Sequence, residues 1–204
     1  MKKLLAAALT AFAALTAQAS IVVTFTPAAQ HVQVGDAVSV DLSISGLGTQ
    51  IVSAFDLNVL FDSAVLSFVA ADGSGAEQQL GSGFGVPPVF VFDSLVNGNI
   101  GVQASALADD ATVAAHQADD FLLFHFDLRA AGDGVTSFTL GSDLDFERNF
   151  VGLDFLSLDV TVVGACVAVG SGACATTSVP EPASLPLALL SLAGAGLAVS
   201  RRRV

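Results

Sequence analysis

The chain has 204 residues, 53% of them hydrophobic, and 19 acidic residues against 7 Lys and Arg give it a formal net charge of −12. The basic residues other than Arg129 and Arg148 lie at the two ends of the chain, so the segment 20–178 is strongly acidic. Such a charge disfavours binding to nucleic acids and to anionic lipid headgroups, and it is typical of a solvated surface. The segment is long enough for one domain.

Residues 1–19 have the pattern of a secretory signal peptide. Lys2 and Lys3 precede an apolar run from residue 4 to 15, and an Ala-Gln-Ala triplet ends at Ala19. The alternative, a permanent N-terminal anchor, is disfavoured because a spanning helix needs roughly 20 apolar residues. We expect cleavage between Ala19 and Ser20.

Residues 20–164 show the alternation of apolar and polar side chains that is typical of half-buried strands. About nine runs have this pattern, at residues 21–25, 38–44, 55–61, 66–70, 89–92, 100–104, 122–128, 137–140 and 156–162. Their apolar positions, Leu122 and Leu156 among them, are expected to face a core. Only residues 109–117 are predicted to be helical, with Asp109 and Asp110 at the start, where carboxylates suit the helix dipole.

This pattern predicts an all-β fold with one short helix. Polar residues on one face of each strand indicate antiparallel sheets with one wet face, so two sheets must pack face to face as a β-sandwich. Asn97-Gly98 predicts a tight hairpin turn before the run at 100–104.

Cys166 and Cys174 lie in a segment, residues 165–179, that we interpret as a linker. In an oxidising exported setting they are expected to form a disulfide that closes a small loop. The alternative, a metal-binding pair, is disfavoured because a structural zinc site needs four ligands and no His lies nearby.

Residues 180–204 combine three features in order. Pro180-Glu181-Pro182 comes first, an apolar run at 185–199 follows, and Arg201-Arg202-Arg203 comes next. The prolines keep the residues before them extended. The apolar run with its flanks can just cross a bilayer, with the arginines on the cytoplasmic side. The alternative, a buried C-terminal helix, is disfavoured because core helices are normally amphipathic.

This C-terminal arrangement resembles the PEP-CTERM sorting signal of Gram-negative bacteria. The resemblance implies recognition by an exosortase, a membrane-embedded cysteine transpeptidase-like enzyme that cuts near the Pro-Glu-Pro motif. The protein would then be anchored in the inner membrane before processing and reach the cell surface or the exterior afterwards. As with a GPI signal, the mature protein would lack the spanning helix.

The segment 20–164 also resembles cohesin-type domains. The segments 52–62 and 64–68 are similar to the second and third cohesin strands, and 121–130 is similar to the strand after a short Asp-rich helical insertion. The resemblance implies a jelly-roll sandwich of nine strands. Cohesins bind dockerins and are related in fold to carbohydrate-binding modules. No dockerin-contact motif maps onto this chain, so no binding residue is inferred.

A catalytic site is not indicated by the sequence. His125 and Asp127 share one face of a strand and have the spacing of a base with its orienting carboxylate, but no nucleophile can be placed beside them. The favoured interpretation is a surface His beside a solvated Asp.

The ligand-binding signals are weak, and no cofactor or metal is expected. Asp143, Asp145 and Glu147 space carboxylates like the start of a calcium loop, but Arg148 replaces the required Gly. The absence of Trp and Tyr from the chain disfavours a stacking platform for sugars.

The leading hypothesis is therefore an exported, non-enzymatic surface or matrix protein that acts as an adhesion or interaction module. Its expected partners are an exosortase, the inner membrane before processing, and a protein or extracellular polysaccharide outside. The alternatives are a secreted carbohydrate-binding or calcium-dependent module and a cohesin proper that binds a dockerin.

Overall fold

The computed structural model describes residues 20–93, 98–141 and 150–175. Within them the strands are β1 (Ile21–Thr26), β2 (Ala29–Val32), β3 (Ala37–Ser45), β4 (Ala54–Leu60), β5 (Leu66–Asp72), β6 (Val89–Asp93), β7 (Asn99–Ser105), β8 (Phe121–Ala130), β9 (Gly134–Gly141), β10 (Phe150–Val151), β11 (Val160–Val163) and β12 (Ala165–Val169). Two α-helices, α1 (Ser74–Leu80) and α2 (Asp110–His116), and a 3-10 turn at Ser82–Phe84 lie between strands.

The strands form two sheets. The first has the order β11-β1-β3-β8-β5, and the second has the order β2-β12-β9-β4-β7-β6, with β10 paired to β4 outside that path. Most neighbours are antiparallel, but β11 runs parallel to β1 and β12 runs parallel to β2. The predicted sandwich of mostly antiparallel strands is therefore confirmed, with parallel pairs at its edges. The described residues form twelve strands, more than the nine predicted.

Alternation along the strands builds the core between the sheets. On β3 every second residue is buried, and the polar residues between them face outward. Rings from both sheets meet in the core, because Phe124 of β8 lies 5.7 Å from Phe55 of β4 in an edge-to-face arrangement. Among the residues whose burial the structure describes, six phenylalanines are fully buried: Phe25, Phe55, Phe124, Phe126, Phe138 and Phe150. The abundance of Phe in this sequence is therefore explained largely by packing.

At the start of β8 the inward-facing side chains differ from those predicted. Leu122, which alternation places inward, is 38% exposed, whereas Leu123 is fully buried. A register irregularity between Leu42 and Ser43 of the neighbouring β3 accompanies this shift, since Leu42 pairs with Phe124 and Ser43 with Leu122. A bulge adds one residue to one strand, so the side chains beyond it face the opposite side of the sheet. The pattern of one strand alone does not reveal a bulge.

Other differences concern helices and strand ends. The prediction of one helix is wrong, because α1 forms over Ser74–Leu80, where the alternation predicted no helix. The predicted strand 156–162 is shorter, since β11 begins at Val160, and Leu156 is 58% exposed. Strand β12 continues the sandwich into the segment that the sequence analysis assigned to a linker.

No helix among the described residues is long and apolar enough to cross a membrane. The predicted spanning segment 185–199, the Pro-Glu-Pro motif and the predicted signal peptide lie outside the described residues.

Four connections meet at one end of the sandwich, which we call the loop end: residues 46–53, 73–88, 106–120 and 152–159. The register places them together, because Ile44 at the end of β3 pairs with Phe121 at the start of β8. Ala54 at the start of β4 likewise pairs with Ser105 at the end of β7. Both helices therefore lie at the loop end.

Candidate functional site

His125 and Asp127 occupy the outer face of β8, as alternation predicts. The His125 Nε2 atom lies 3.4 Å from Asp127 Oδ1, and its Nδ1 atom lies 2.5 Å from Oδ1 of Asp41 on β3. The register pairs Asp41 with His125 directly. Asp41 was missed because nothing in the spacing of one strand shows which residue of another will face it.

The carboxylates around His125 stabilise its protonated form. The pKa of His125 is raised above 6.5, chiefly by the hydrogen bond to Asp41, while partial desolvation opposes the rise and the charges of Asp41 and Asp127 add to it. Asp72 of β5, the other strand beside β8, is in register with His125. The pKa of Asp72 is lowered mainly by hydrogen bonds from Ser74.

This cluster has the geometry of an ion pair on a sheet surface. The contacts described for the imidazole are both with carboxylates. The nearby hydroxyl of Ser39 donates to Asp127 at 3.4 Å. A histidine engaged on both nitrogens by acceptors has no free lone pair with which to activate a nucleophile. The cluster therefore supports a stabilising role.

Acidic residues beside α2 accept hydrogen bonds from backbone N–H groups. Asp109 caps the helix, accepting hydrogen bonds from the backbone N–H and the hydroxyl of Thr112 at 3.0 and 2.8 Å. These bonds, the hydroxyl first, lower the pKa of Asp109. Asp119 and Asp120 accept the backbone N–H groups of Gly48 and Gly46.

The described part of the chain holds no group of three or more His, Cys, Asp or Glu side chains that could bind a metal ion. Asp143, Asp145 and Glu147 lie outside the described residues.

The predicted disulfide is present between Cys166 and Cys174, with an S–S distance of 2.04 Å. Cys166 lies on β12, which is bonded to β2 on one side and β9 on the other. The loop between the cysteines is further held by Asp133, which accepts the N–H and the hydroxyl of Ser171.

A hairpin tip at the loop end carries exposed apolar side chains that the sequence analysis did not single out. Val151 and Ser157 form an antiparallel bridge, and the N–H of Gly152 donates to the carbonyl of Leu156 at 2.9 Å. Between them the backbone of Phe155 has a φ of 61°, in the left-handed region that few residues other than Gly, Asn and Asp adopt. Phe155 is 77% exposed.

The sequence of the tip contains turn residues, but the alternation of apolar and polar residues after them favoured a strand. Gly152 and Asp154 are typical turn residues, and Asp154 Oδ1 accepts the backbone N–H of Leu156 at 3.0 Å. Leu156 and Leu158 continue the spacing of the next strand, and we therefore predicted strand where the chain turns.

Two grooves flank this tip. One, of about 460 Å³, lies between the tip and the 46–53 connection and includes Ile51, Leu156 and Leu158 in its lining. The other, of about 440 Å³, lies between the tip and the 106–120 connection and includes Phe155 and Val113. Both volumes fall in the range of roughly 300–1,000 Å³ that is usual for binding clefts.

Comparison with known proteins assigns the C-terminal segment. Residues 178–203 match the family model of the PEP-CTERM protein-sorting motif. The chain carries a PEP-CTERM sorting motif. This confirms the resemblance inferred from Pro180-Glu181-Pro182 and the segment that follows it. No curated protein sequence matches the chain.

Several solved structures that are similar to this chain are cohesin modules. The sixth cohesin of scaffoldin B from Acetivibrio cellulolyticus matches with a TM-score of 0.55 and 14% identity, over 74% of this chain and 99% of that one. A type III cohesin module of the ScaE cell-surface anchoring scaffoldin from Ruminococcus flavefaciens matches with a TM-score of 0.56 and 13% identity, over 75% and 89% of the two chains. A non-cellulosomal cohesin from Archaeoglobus fulgidus gives a TM-score of 0.50 and 16% identity, over 75% and 93%. The cohesin-like fold is thereby confirmed.

Proposed function

We propose that the protein is exported, processed by an exosortase and displayed at the cell surface, where its cohesin-like sandwich acts as a non-catalytic module that binds another protein. The observation that carries the proposal is the sorting motif at residues 178–203, joined in one chain to a domain of cohesin fold. The motif accounts for delivery and the sandwich for the activity after delivery.

The sorting motif supports a temporary membrane stage. Pro180-Glu181-Pro182 is the segment that the exosortase recognises, the apolar run holds the chain in the inner membrane, and Arg201-Arg202-Arg203 stops transfer on the cytoplasmic side. Cleavage after Ala19 removes the signal peptide on the outer side. The mature protein keeps the sandwich and loses both ends.

The chemistry of the described residues supports binding over catalysis. The one imidazole among them with carboxylate partners on both nitrogens, that of His125, lies on an open sheet face and is already engaged. A catalytic centre is expected to combine a nucleophile or bound substrate with its base in a sheltered cleft. The disulfide between Cys166 and Cys174 agrees with an oxidising exterior.

A dockerin is a second candidate for the partner. The sixth cohesin of scaffoldin B was solved in complex with a dockerin. If this chain shares that activity, a dockerin module from the same organism will bind the purified chain in a calorimetric titration. If none binds, the partner belongs to another class.

The experiment that tests the proposal combines processing with contact at the surface. Intact cells producing the chain are treated with an impermeant cross-linker, in strains with and without the exosortase. We expect a processed, surface-exposed species that forms discrete cross-links to another protein only when the exosortase is present. Processing without any protein cross-link would contradict the interaction role and leave only the sorting role.

A further inference from the structure

The loop end offers a rigid apolar surface. Leu156 is 58% exposed, Leu107 62% and Val86 37%, so three of its four connections carry an exposed aliphatic side chain, in addition to Phe155 at the hairpin tip. Isolated exposed apolar residues are common, but a concentration beside two grooves is typical of an interaction site.

Hydrogen bonds fix the width of the grooves. The hydroxyl of Ser53 donates to the carbonyl of Gly152 at 2.7 Å, and the carbonyl of Ser53 accepts the N–H of Ala106 at 2.8 Å. The side chain of Gln117 donates to the carbonyl of Val52 and accepts its N–H, at 2.9 and 2.7 Å. The hairpin tip and both neighbouring connections are thus joined, and such preorganisation lowers the entropic cost of binding.

The loop end is acidic. Its four connections contain no Lys or Arg. They contain these carboxylates: Glu77, Asp109, Asp110, Asp119, Asp120, Asp154 and Asp159. Asp110 lines one groove, and Asp154 and Asp159 line the other. Arg129 is the only Lys or Arg within the described segments. It lies near the opposite end of the sandwich, because it pairs with Ala37 at the start of β3.

This charge determines the class of occupant. Two copies of the chain would bring their acidic loop ends together, and like charges across an interface cost several kcal/mol. An anionic membrane surface is repelled for the same reason. A partner with apolar side chains for the grooves and cationic side chains for the rim fits both features, since interfaces commonly have an apolar centre and a polar edge.

We propose that the loop end is the partner-binding surface, with Phe155 and Leu156 as its apolar anchors, and that it takes a protein segment in which Lys or Arg residues flank aliphatic ones. This inference rests on the proposed interaction function and names the surface and the chemistry of the partner. The carboxylates of Asp110, Asp154 and Asp159 accept the cationic groups at the rim, and the aliphatic side chains enter the grooves beside the hairpin tip.

The test uses the full chain in nonionic detergent micelles and three short synthetic peptides. The first has leucines flanked by lysines, the second has glutamates in place of the lysines, and the third has serines in place of the leucines. Each is titrated calorimetrically against the protein and against empty micelles. We expect binding of the first peptide, weakened by added salt, and at least about tenfold weaker binding of the other two.

Three sets of substitutions locate the site. The apolar variant combines Phe155→Asn with Leu156→Ser, and Asn suits the left-handed backbone of residue 155. The charge variant combines Asp110→Asn, Asp154→Asn and Asp159→Asn, and the amide introduced at position 154 retains an oxygen that can accept the N–H of Leu156. The matched control makes the same change of charge at the other end of the sandwich through Asp36→Asn, Asp62→Asn and Asp133→Asn.

The expected result is a loss of at least about tenfold in affinity for the apolar and charge variants and less than about twofold for the control. Equal loss in the control would overturn the proposal, because binding would then follow the overall charge. Equal binding of the glutamate peptide, or no binding of the lysine peptide, would also overturn it. Surface cross-links that persist in both loop-end variants would place the interaction elsewhere on the sandwich and leave the proposed function standing.

Discussion

Asp41 and His125 are 84 residues apart in the chain, yet their side chains meet with 2.5 Å between Oδ1 and Nδ1 on the outer face of the first sheet. The antiparallel register of β3 and β8 brings them together. Asp127 on the same strand lies 3.4 Å from the other ring nitrogen, so two carboxylates favour the cation form of His125.

This contact predicts a pH dependence of stability. The pKa of His125 is raised in the folded protein, so its contribution to the free energy of unfolding is complete below the unfolded value of 6.5. It is lost as the pH rises through the folded pKa. Urea unfolding of the wild type and of His125→Gln should show the larger stability difference below 6.5. Asp41→Asn should abolish most of that dependence, and a difference that grew with pH would contradict the assignment.

Exposure and backbone conformation predict opposite outcomes for two phenylalanines of one hairpin. Phe155 is 77% exposed with a φ of 61°, so Phe155→Asn should leave the free energy of unfolding unchanged or raise it by about 1 kcal/mol. Phe150 is 1% exposed and lies 6.0 Å from the ring of Phe55. Phe150→Ala should therefore cost about 3–5 kcal/mol. Chemical denaturation of both variants checks this, and similar losses in the two would contradict it.

The sequence was sufficient to predict the architecture because burial alternates along strands such as β3 and β4, and this alternation is visible residue by residue. It was insufficient at the start of β8, where the bulge against Leu42 and Ser43 depends on the partner strand. The pairing of His125 with Asp41 was hidden for the same reason. Register between distant strands is set by the whole sheet, so one run does not reveal it.

The hairpin tip shows a different limit. Leu156, Leu158 and Val160 keep a period of two, which favours a strand, but the turn residues Gly152 and Asp154 determine where the chain reverses. Local turn chemistry outweighed periodicity there. Helix α1 is also not evident from the sequence pattern, because it is short and glycines flank it, although Ala76 and Leu80 form a buried face.

The buried hydroxyl of Thr136 predicts that replacing this residue with Val, which has nearly the same shape, will lower the free energy of unfolding. Thr136 is 3% exposed, and its hydroxyl accepts the backbone N–H of Asp62 at 2.7 Å. Thr136→Val keeps the shape and removes the acceptor, so we expect a loss of about 1–3 kcal/mol in the free energy of unfolding. Thr139→Val, at an exposed position of the same strand, should change stability by less than about 0.5 kcal/mol. Denaturant midpoints of the two variants provide the comparison.

The disulfide predicts a dependence on redox conditions. Cys166 and Cys174 close a loop with a sequence separation of 8. Loss of the cross-link should lower the free energy of unfolding by about 2–3 kcal/mol through chain entropy. Denaturation with and without a reductant should show that loss in the wild type. The double variant Cys166→Ala with Cys174→Ala should be insensitive to the reductant, and sensitivity there would assign the effect to another cause.

The sorting motif predicts a defined mature mass. In the native host we expect a protein that begins at Ser20 and ends near Pro180-Glu181-Pro182, because signal peptidase and exosortase remove the two ends. Intact-mass spectrometry of the protein with and without the exosortase measures both cuts, and any added mass at the new C-terminus identifies an attachment. Replacement of the three motif residues by Ala should leave the C-terminal segment in place, as deletion of the exosortase does. A chain that retained residues 185–204 in every strain would instead be a permanently anchored surface domain.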